Sequence, residues 1–188
     1  MSNTAFLFPG QGAQYPGMGK DFYDTFLVVR ETFEEADDIL GENFTKLILE
    51  GPQDELTQTN KAQVAIFIVS AALYRCIRNQ MPDLNPKVCA GLSLGEYTAL
   101  FASGRISFAE ALNLVRLRGQ YMQDACKEVL GTMRVVLGLE EAAVAAVLPK
   151  DVWIANLNCP GQVVIAGLAA AMPQIGRASC RERVYVLV

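Results

Sequence analysis

The spacing of apolar residues along the first part of the chain indicates one strand followed by helices. ThrAlaPheLeuPhe at 4–8 is a short apolar run that ends at Pro9-Gly10, as a buried strand would. Residues 21–57 mostly follow a helical period, with breaks at Gly41 and at Gly51-Pro52. The sequence therefore predicts a strand, a glycine-rich connection and a set of short helices.

The next part of the chain repeats the order of helix and strand. Residues 61–80 form a long apolar stretch that predicts a helix ending before Pro82. Residues 87–90 predict another short strand, and the period becomes helical again from Leu94 until Gly104. Because strands and helices alternate, we expect a mainly parallel sheet with helices on both faces.

The pattern of apolar residues changes after a helix that is predicted at 107–127. Ser107 and Glu110 have the spacing of a capping box at the start of that helix. The following pattern indicates a strand, a helix and two further strands, at 133–139, 140–148, 152–158 and 162–167. We therefore predict an N-terminal core over 1–127 and the start of a small domain over 128–174.

The last residues differ from the rest in kind. IleGlyArgAlaSerCysArgGluArgVal at 175–184 matches the translation of a short-read sequencing adaptor. Under this hypothesis the natural sequence stops near Gln174, and 175–188 is a non-native tail that carries no function. The alternative is a native basic tail.

Composition and charge exclude several classes of function. The chain has 188 residues, a net charge of −4 and a pI of about 4.9, and its basic residues are scattered. It lacks the basic stripe of a nucleic-acid-binding protein, and its N-terminus resembles neither a signal peptide nor a membrane span. We expect a cytoplasmic monomer that binds neither nucleic acid nor membrane.

The cysteines predict no disulfide framework and no metal site. Their number is odd and none forms a CxxC pair, at positions Cys76, Cys89, Cys126, Cys159 and Cys180. Both features fit a reducing compartment. We interpret these cysteines as small buried apolar residues.

GlyLeuSerLeuGly at 91–95 has the form of a nucleophilic-serine turn. It follows a predicted strand and opens a predicted helix, which is the context that a nucleophile elbow requires. Gly91 and Gly95 would let the backbone turn sharply, and the helix N-terminus would favour negative charge that develops at Ser93. The alternative is an ordinary helix-capping serine. The chain contains no histidine, so the sequence shows no obvious base for this serine.

Arg118 is the second candidate for chemistry. On a helical wheel it lies in the middle of an apolar arc, together with Ala111, Leu114, Val115, Met122, Ala125 and Cys126. A guanidinium among apolar neighbours needs an anion, and arginine can grip a carboxylate with two hydrogen bonds. That anion could be a substrate carboxylate or an internal Asp or Glu.

The glycine-rich stretch PheProGlyGlnGlyAlaGln at 8–14 lacks the lysine and hydroxyl residue of a P-loop. It is better interpreted as a loop whose backbone N–H groups face an anion near Gln11. A plain tight turn is the alternative.

Taken together, the motifs resemble one family. PheProGlyGlnGlyAlaGln, GlyLeuSerLeuGlyGluTyrThrAla, LeuArgGlyGlnTyrMetGln and AsnCysProGlyGlnValValIleAlaGly follow the order seen in malonyl-CoA:acyl carrier protein transacylases, over residues 4–170. The resemblance implies an α/β-hydrolase-like core with a parallel sheet and a ferredoxin-like small domain, both incomplete in this chain.

The resemblance also implies roles for single residues. Ser93 would accept the acyl group, and the backbone N–H groups of Gln11 and Leu94 would form the oxyanion hole. Arg118 would bind the malonyl carboxylate. Further pocket residues would be Gln63, Met122 and, in the small domain, Asn158.

The implied reaction moves a malonyl group from malonyl-CoA to the phosphopantetheine thiol of acyl carrier protein, through a malonyl-serine ester in fatty acid biosynthesis. No cofactor beyond these substrates is implied. This chain departs from the family in having Leu92 where histidine usually precedes the serine. The family's catalytic histidine lies downstream of the small domain, so we expect this chain to be truncated and nearly inactive.

Three alternatives remain open. The protein could be a polyketide-pathway acyltransferase with another extender unit, an esterase of the α/β-hydrolase type, or a non-catalytic module that binds the carrier protein.

Overall fold

The structure is a computed structural model that describes residues 4–174 and 184–187; for Gln174 and for 184–187 only the backbone is described. The chain divides into two compact units, Met1–Gln123 and Asp124–Val188. The boundaries that the sequence suggested, after residues 127 and 174, stay predictions. Most of the adaptor-like tail, 175–183 and 188, lies outside the described residues.

The first unit contains two strands and seven helices among its described residues. Its elements are β1 (Ala5–Phe8), α1 (Lys20–Thr25), α2 (Leu27–Leu40), α3 (Phe44–Glu50), α4 (Gln53–Leu56), α5 (Thr59–Gln80), β2 (Val88–Gly91), α6 (Gly95–Ala102) and α7 (Phe108–Glu128). The last turn of α7 continues into the second unit. The predicted strands and the predicted breaks at Gly41 and Gly51 are confirmed. The break between α1 and α2 at Phe26 was not predicted.

The strands β1 and β2 pair in parallel, with Ala5 opposite Val88 and Phe8 opposite Gly91. This register brings the C-terminal ends of both strands to one edge of the sheet. The glycine-rich loop follows β1 at that edge, and the serine turn follows β2. The pairing therefore brings the two sequence motifs together.

The core of the first unit forms around α5, whose apolar residues are buried along most of its length. Phe67 of α5 stacks on Phe108 of α7, with ring centroids 5.6 Å apart. The capping box at the start of α7 is confirmed, since Glu110 accepts hydrogen bonds from the backbone N–H and the hydroxyl of Ser107. Those hydrogen bonds lower the pKa of Glu110.

The second unit has an antiparallel sheet. Its elements are β3 (Gly131–Leu137), α8 (Glu141–Ala145), β4 (Val152–Cys159), β5 (Gln162–Leu168), a 3-10 turn (Met172–Gln174) and β6 (Val184–Leu187). The strand order is β4-β5-β3-β6, and β3-α8-β4-β5 fits the first four elements of a ferredoxin-like β-α-β-β-α-β unit. The predicted mixed α/β class is therefore confirmed, while the parallel pairing is limited to β1 and β2 in the described part of the chain.

Candidate active site

Ser93 lies on a sharp turn between β2 and α6. Its φ angle of 54° is in the left-handed region, which is unfavourable for any residue other than glycine. Such strain is typical of a nucleophile elbow, where the turn lifts the serine out of the line of the strand. The structure thus confirms the predicted strand-turn-helix context of Ser93.

The glycines on either side of Ser93 are required by close backbone contacts. A Cβ atom at Gly91 would lie 2.1 Å from the carbonyl carbon of Gly95. A Cβ atom at Gly95 would lie 2.3 Å from the carbonyl oxygen of Phe8, at the end of β1. Neither position has room for a side chain, so both glycines belong to the geometry of the turn.

Gly95→Ala should therefore destabilise the first unit strongly. We expect the free energy of unfolding to fall by about 3 kcal/mol or more, because a methyl group would overlap the β1 backbone. Urea denaturation followed by circular dichroism measures this change. Gly131→Ala is the control, since a Cβ there would meet nothing closer than 3.4 Å. Similar losses in both variants would contradict the steric argument.

Arg118 reaches the serine from α7. Its Nη2 donates to Ser93 Oγ at 2.6 Å, and its Nη1 donates to Gln63 Oε1 at 2.5 Å. Its guanidinium carbon lies 5.9 Å from the centre of the Tyr97 ring. In the part of the chain that the structure describes, no Asp or Glu forms an ion pair with Arg118. The internal carboxylate that the sequence left open as its partner is therefore not found among those residues.

The predicted apolar arc around Arg118 is wrong for four of its six apolar residues. The buried residues of α7 are Phe108, Ala111, Leu112, Val115 and Gly119. Leu114, Met122, Ala125 and Cys126 are exposed. Arg118 is half-buried at the edge of the buried face, because that face follows Ala111, Val115 and Gly119 and no α7 residue is buried after Gly119.

Gln63 connects three segments at the centre of the site. It is fully buried, and its Nε2 lies 3.2 Å from Met122 Sδ and 3.4 Å from Gln11 Oε1. Gln11 in turn donates from Nε2 to Thr59 Oγ1 at 3.5 Å. Helix α5, helix α7 and the glycine-rich loop therefore meet next to the serine turn.

The two predicted oxyanion donors flank the same turn. Leu94 directly follows Ser93 and precedes the first turn of α6. A Cβ at Gly10 would lie 3.0 Å from the carbonyl oxygen of Leu92, which shows how close the loop before Gln11 comes to the elbow. Within residues 4–174, the backbone N–H groups of Gln11 and Leu94 donate to no protein acceptor. Their assignment as oxyanion donors stays a prediction.

Asn158 belongs to the second unit. Its Nδ2 donates to Gln162 Oε1 at 2.8 Å, while its buried Oδ1 has no partner among the described residues. Its predicted place in the substrate pocket stays a prediction.

The cysteines differ from the prediction in their burial. Cys76 is buried and Cys89 is half-buried, whereas Cys126 and Cys159 are exposed; Cys180 lies outside the described residues. The uniform burial that the sequence suggested is therefore wrong for two of them, because they lie on the uncovered end of α7 and at the end of β4. Burial raises the pKa of the Cys76 and Cys89 thiols. The described residues contain no His, Cys, Asp and Glu cluster that could hold a metal ion, and none of their helices has the length and apolarity of a membrane span.

Two contacts of the site were missed at the level of sequence. Tyr97 lies near the Arg118 guanidinium, and the Thr59 hydroxyl accepts a hydrogen bond from the Gln11 side chain. Tyr97 could have been found from its place in the first turn of α6, four residues after Ser93. Thr59 gives no signal, since its contact joins residues 48 positions apart.

The model of the acyl transferase domain family matches residues 5–186. The chain is 41% identical over 187 residues to the malonyl CoA-acyl carrier protein transacylase of Haemophilus influenzae, covering 97% of this chain and 60% of that protein. The chain thus spans about 60% of the length of the curated relative it matches.

Solved structures agree with the sequence comparison. The transacylase of that name from Coxiella burnetii has a TM-score of 0.90 and 36% identity, over 99% of this chain and 61% of its own. A malonyl-transacylase in complex with a type II PKS acyl-carrier protein has a TM-score of 0.89 and 40% identity, over 100% of this chain and 63% of its own.

Proposed function

This chain belongs to the acyl transferase domain family, and we propose that its protein transfers malonyl groups from malonyl-CoA to the phosphopantetheine thiol of acyl carrier protein. One observation carries the proposal. The guanidinium of Arg118 lies at the hydroxyl of Ser93 and has no carboxylate partner among the described residues. A cation 2.6 Å from a nucleophile suits a substrate that carries both a reactive carbonyl and a free acid.

The reaction would proceed in two acyl transfers. Ser93 Oγ attacks the thioester carbon of malonyl-CoA, its proton goes to a base, and the carbon–sulfur bond breaks to release coenzyme A. The backbone N–H groups of Gln11 and Leu94 stabilise the oxyanion of each tetrahedral intermediate. The phosphopantetheine thiol then attacks the malonyl-serine ester and restores the serine.

Arg118 would select the malonyl group. The malonyl carboxylate can take the guanidinium away from Ser93 Oγ, which satisfies the cation and frees the nucleophile. Gln63 stays bonded to the other side of the guanidinium and keeps its plane fixed, while Met122 bounds the pocket. An acetyl group offers no anion, so the guanidinium would gain nothing from its binding.

We further propose that the base is a histidine supplied by sequence that the relatives have and this chain lacks. None of the 188 residues is histidine. The parallel strands β1 and β2 leave Leu7 77% and Val88 56% exposed, although parallel sheets are normally covered on both faces. A cavity of about 500 Å³ also opens beside β1, with Phe6, Phe8 and Leu73 among its lining residues. Further chain of the same protein would cover the exposed faces of β1 and β2 and fill this cavity.

The proposed partners are acyl carrier protein and a coenzyme A thioester, with no other cofactor. A polyketide pathway is the second candidate, because one structural neighbour is described with a type II PKS carrier protein. A cytoplasmic location, a monomeric state and the non-catalytic alternative stay predictions.

Intact-protein mass spectrometry tests the proposed function. We define the extended protein as residues 1–174 followed by the natural continuation of the gene. Incubated with malonyl-CoA, it should gain the mass of one malonyl group, and peptide mapping should place that group on Ser93. Ser93→Ala should remain unmodified.

Three results would argue against this proposal. No adduct would favour a non-catalytic module, and an adduct formed equally well from acetyl-CoA would contradict the role of Arg118. Release of free malonate, without transfer to the carrier thiol, would favour an esterase.

A further inference from the structure

Gly119 lies where helix α7 contacts the first turn of helix α5. A Cβ atom at Gly119 would lie 3.0 Å from Asn60 Cα and 3.4 Å from the carbonyl oxygen of Thr59. These neighbours are backbone atoms, which cannot move aside as a flexible side chain can. Glycine inside a helix costs about 1 kcal/mol relative to alanine, so its presence there needs a packing reason. The close approach of the two helices supplies that reason.

Gln123 makes a second contact between the same helices. Its Oε1 accepts a hydrogen bond from the backbone N–H of Thr59, the first residue of α5, at 3.2 Å. That N–H has no partner within its own helix, and the preceding residue Gln58 offers no side-chain cap. A side chain of α7 therefore caps α5 and holds its first turn in place.

Along α7, the two residues that contact the start of α5 alternate with the two residues that contact Gln63 in the candidate active site. Arg118 and Met122 touch Gln63, one turn into α5, whereas Gly119 and Gln123 touch the start of α5. The Thr59 hydroxyl also accepts a hydrogen bond from the Gln11 side chain. The distance between the two helices at this point therefore sets how far the Arg118 guanidinium reaches toward Gln63 and Ser93.

We propose that Gly119 and Gln123 are positioning residues that set the specificity for a carboxylate-bearing acyl group through Arg118. Neither residue has to touch the substrate. This inference rests on the proposed function for its kinetic consequences, but its structural consequence is independent of any activity.

Gly119→Ala gives the first test, in the extended protein. The added methyl should push the helices apart by a few tenths of an ångström and withdraw the guanidinium. We expect KM for malonyl-CoA to rise about 10-fold, since small misplacements of binding groups have large effects. We expect kcat to change by less than about 2-fold, because the carboxylate is held equally in the ground and transition states. A general loss of folded protein would instead lower kcat and leave KM unchanged.

Gln123 gives a second test, which does not depend on the tolerance of Gly119. Gln123→Ala removes the cap of α5 and should raise KM for malonyl-CoA about 5-fold, as expected from the loss of roughly one hydrogen bond. Gln123→Glu keeps an acceptor oxygen and should restore KM. The control is Gln80→Ala at the far end of α5, where the side chain, in the part of the chain that the structure describes, donates a hydrogen bond only to its neighbour Asn79. It should leave both kinetic constants unchanged.

Crystal structures of Gly119→Ala and Gln123→Ala separate this inference from the proposed function. Longer distances from Arg118 to Gln63 Oε1 and Ser93 Oγ are expected, whether or not the wild type transfers malonyl groups. Unchanged distances in both variants would overturn the inference, as would a KM for Gln123→Glu as high as that of Gln123→Ala.

Discussion

Arg118→Ala in the extended protein should lower kcat/KM for malonyl-CoA by two to three powers of ten. The loss of one partner from a hydrogen-bonded charge pair typically costs about 2–5 kcal/mol, and the half-buried position of Arg118 places the effect in the middle of that range. The rate with acetyl-CoA should hardly change, because the acetyl group has no carboxylate that Arg118 could bind. Steady-state transfer to acyl carrier protein with both thioesters measures the ratio.

Two further variants sharpen the experiment. Arg116→Ala removes the same side chain two residues away, and it should retain wild-type discrimination between the two thioesters. Arg116 is exposed, and among the described residues its side chain donates a hydrogen bond to Asn113 alone. Arg118→Lys keeps the positive charge but lacks the planar guanidinium. Its kcat/KM for malonyl-CoA should lie between those of the wild type and Arg118→Ala. If Arg118→Ala lowers kcat/KM equally for malonyl-CoA and acetyl-CoA, then Arg118 stabilises the serine turn and does not bind the substrate carboxylate.

The serine turn could be predicted because its determinants are local. Gly91, Ser93 and Gly95 lie within five residues; close backbone contacts require the two glycines, and Ser93 takes the left-handed φ that a nucleophile elbow imposes. The flanking strand and helix were also visible from short apolar runs. Where a few adjacent residues fix the backbone, the sequence alone was sufficient.

The environment of Arg118 could be predicted only in part. The helical wheel placed it correctly near the apolar side of α7, next to Val115. The wheel assumed that this side stays covered along the whole helix, yet Ala125 and Cys126 are exposed. Which stretch of a helix is covered depends on neighbours that are distant in sequence, so no periodicity can supply it.

The contacts between helices were the least predictable part of the site. The pairs Gln63–Met122 and Thr59–Gln123 join residues 59 and 64 positions apart. Gly119 offered the one local clue, since a glycine in the interior of a long helix suggests a close neighbour. The identity of that neighbour came only from the structure.

The 188-residue chain itself should transfer malonyl groups at least about a thousandfold more slowly than the extended protein. Ser93 has its turn, its two proposed oxyanion donors and its guanidinium in place, but the chain contains no histidine to take its proton. An unassisted serine hydroxyl is a weak nucleophile, and the guanidinium that donates to Oγ cannot accept a proton. Single-turnover acylation by malonyl-CoA, followed by mass spectrometry, compares the two proteins directly.

A lower rate in the short chain could also arise from poorer folding, so the missing base needs its own test. Replacing each histidine of the added segment in turn by alanine should identify one variant that falls to the rate of the short chain. That variant should keep the melting temperature of the extended protein, since only its base is lost. If every such variant stays fully active, the base is not a histidine of the added segment; if the short chain matches the extended protein, Ser93 is activated by a group within the 188 residues.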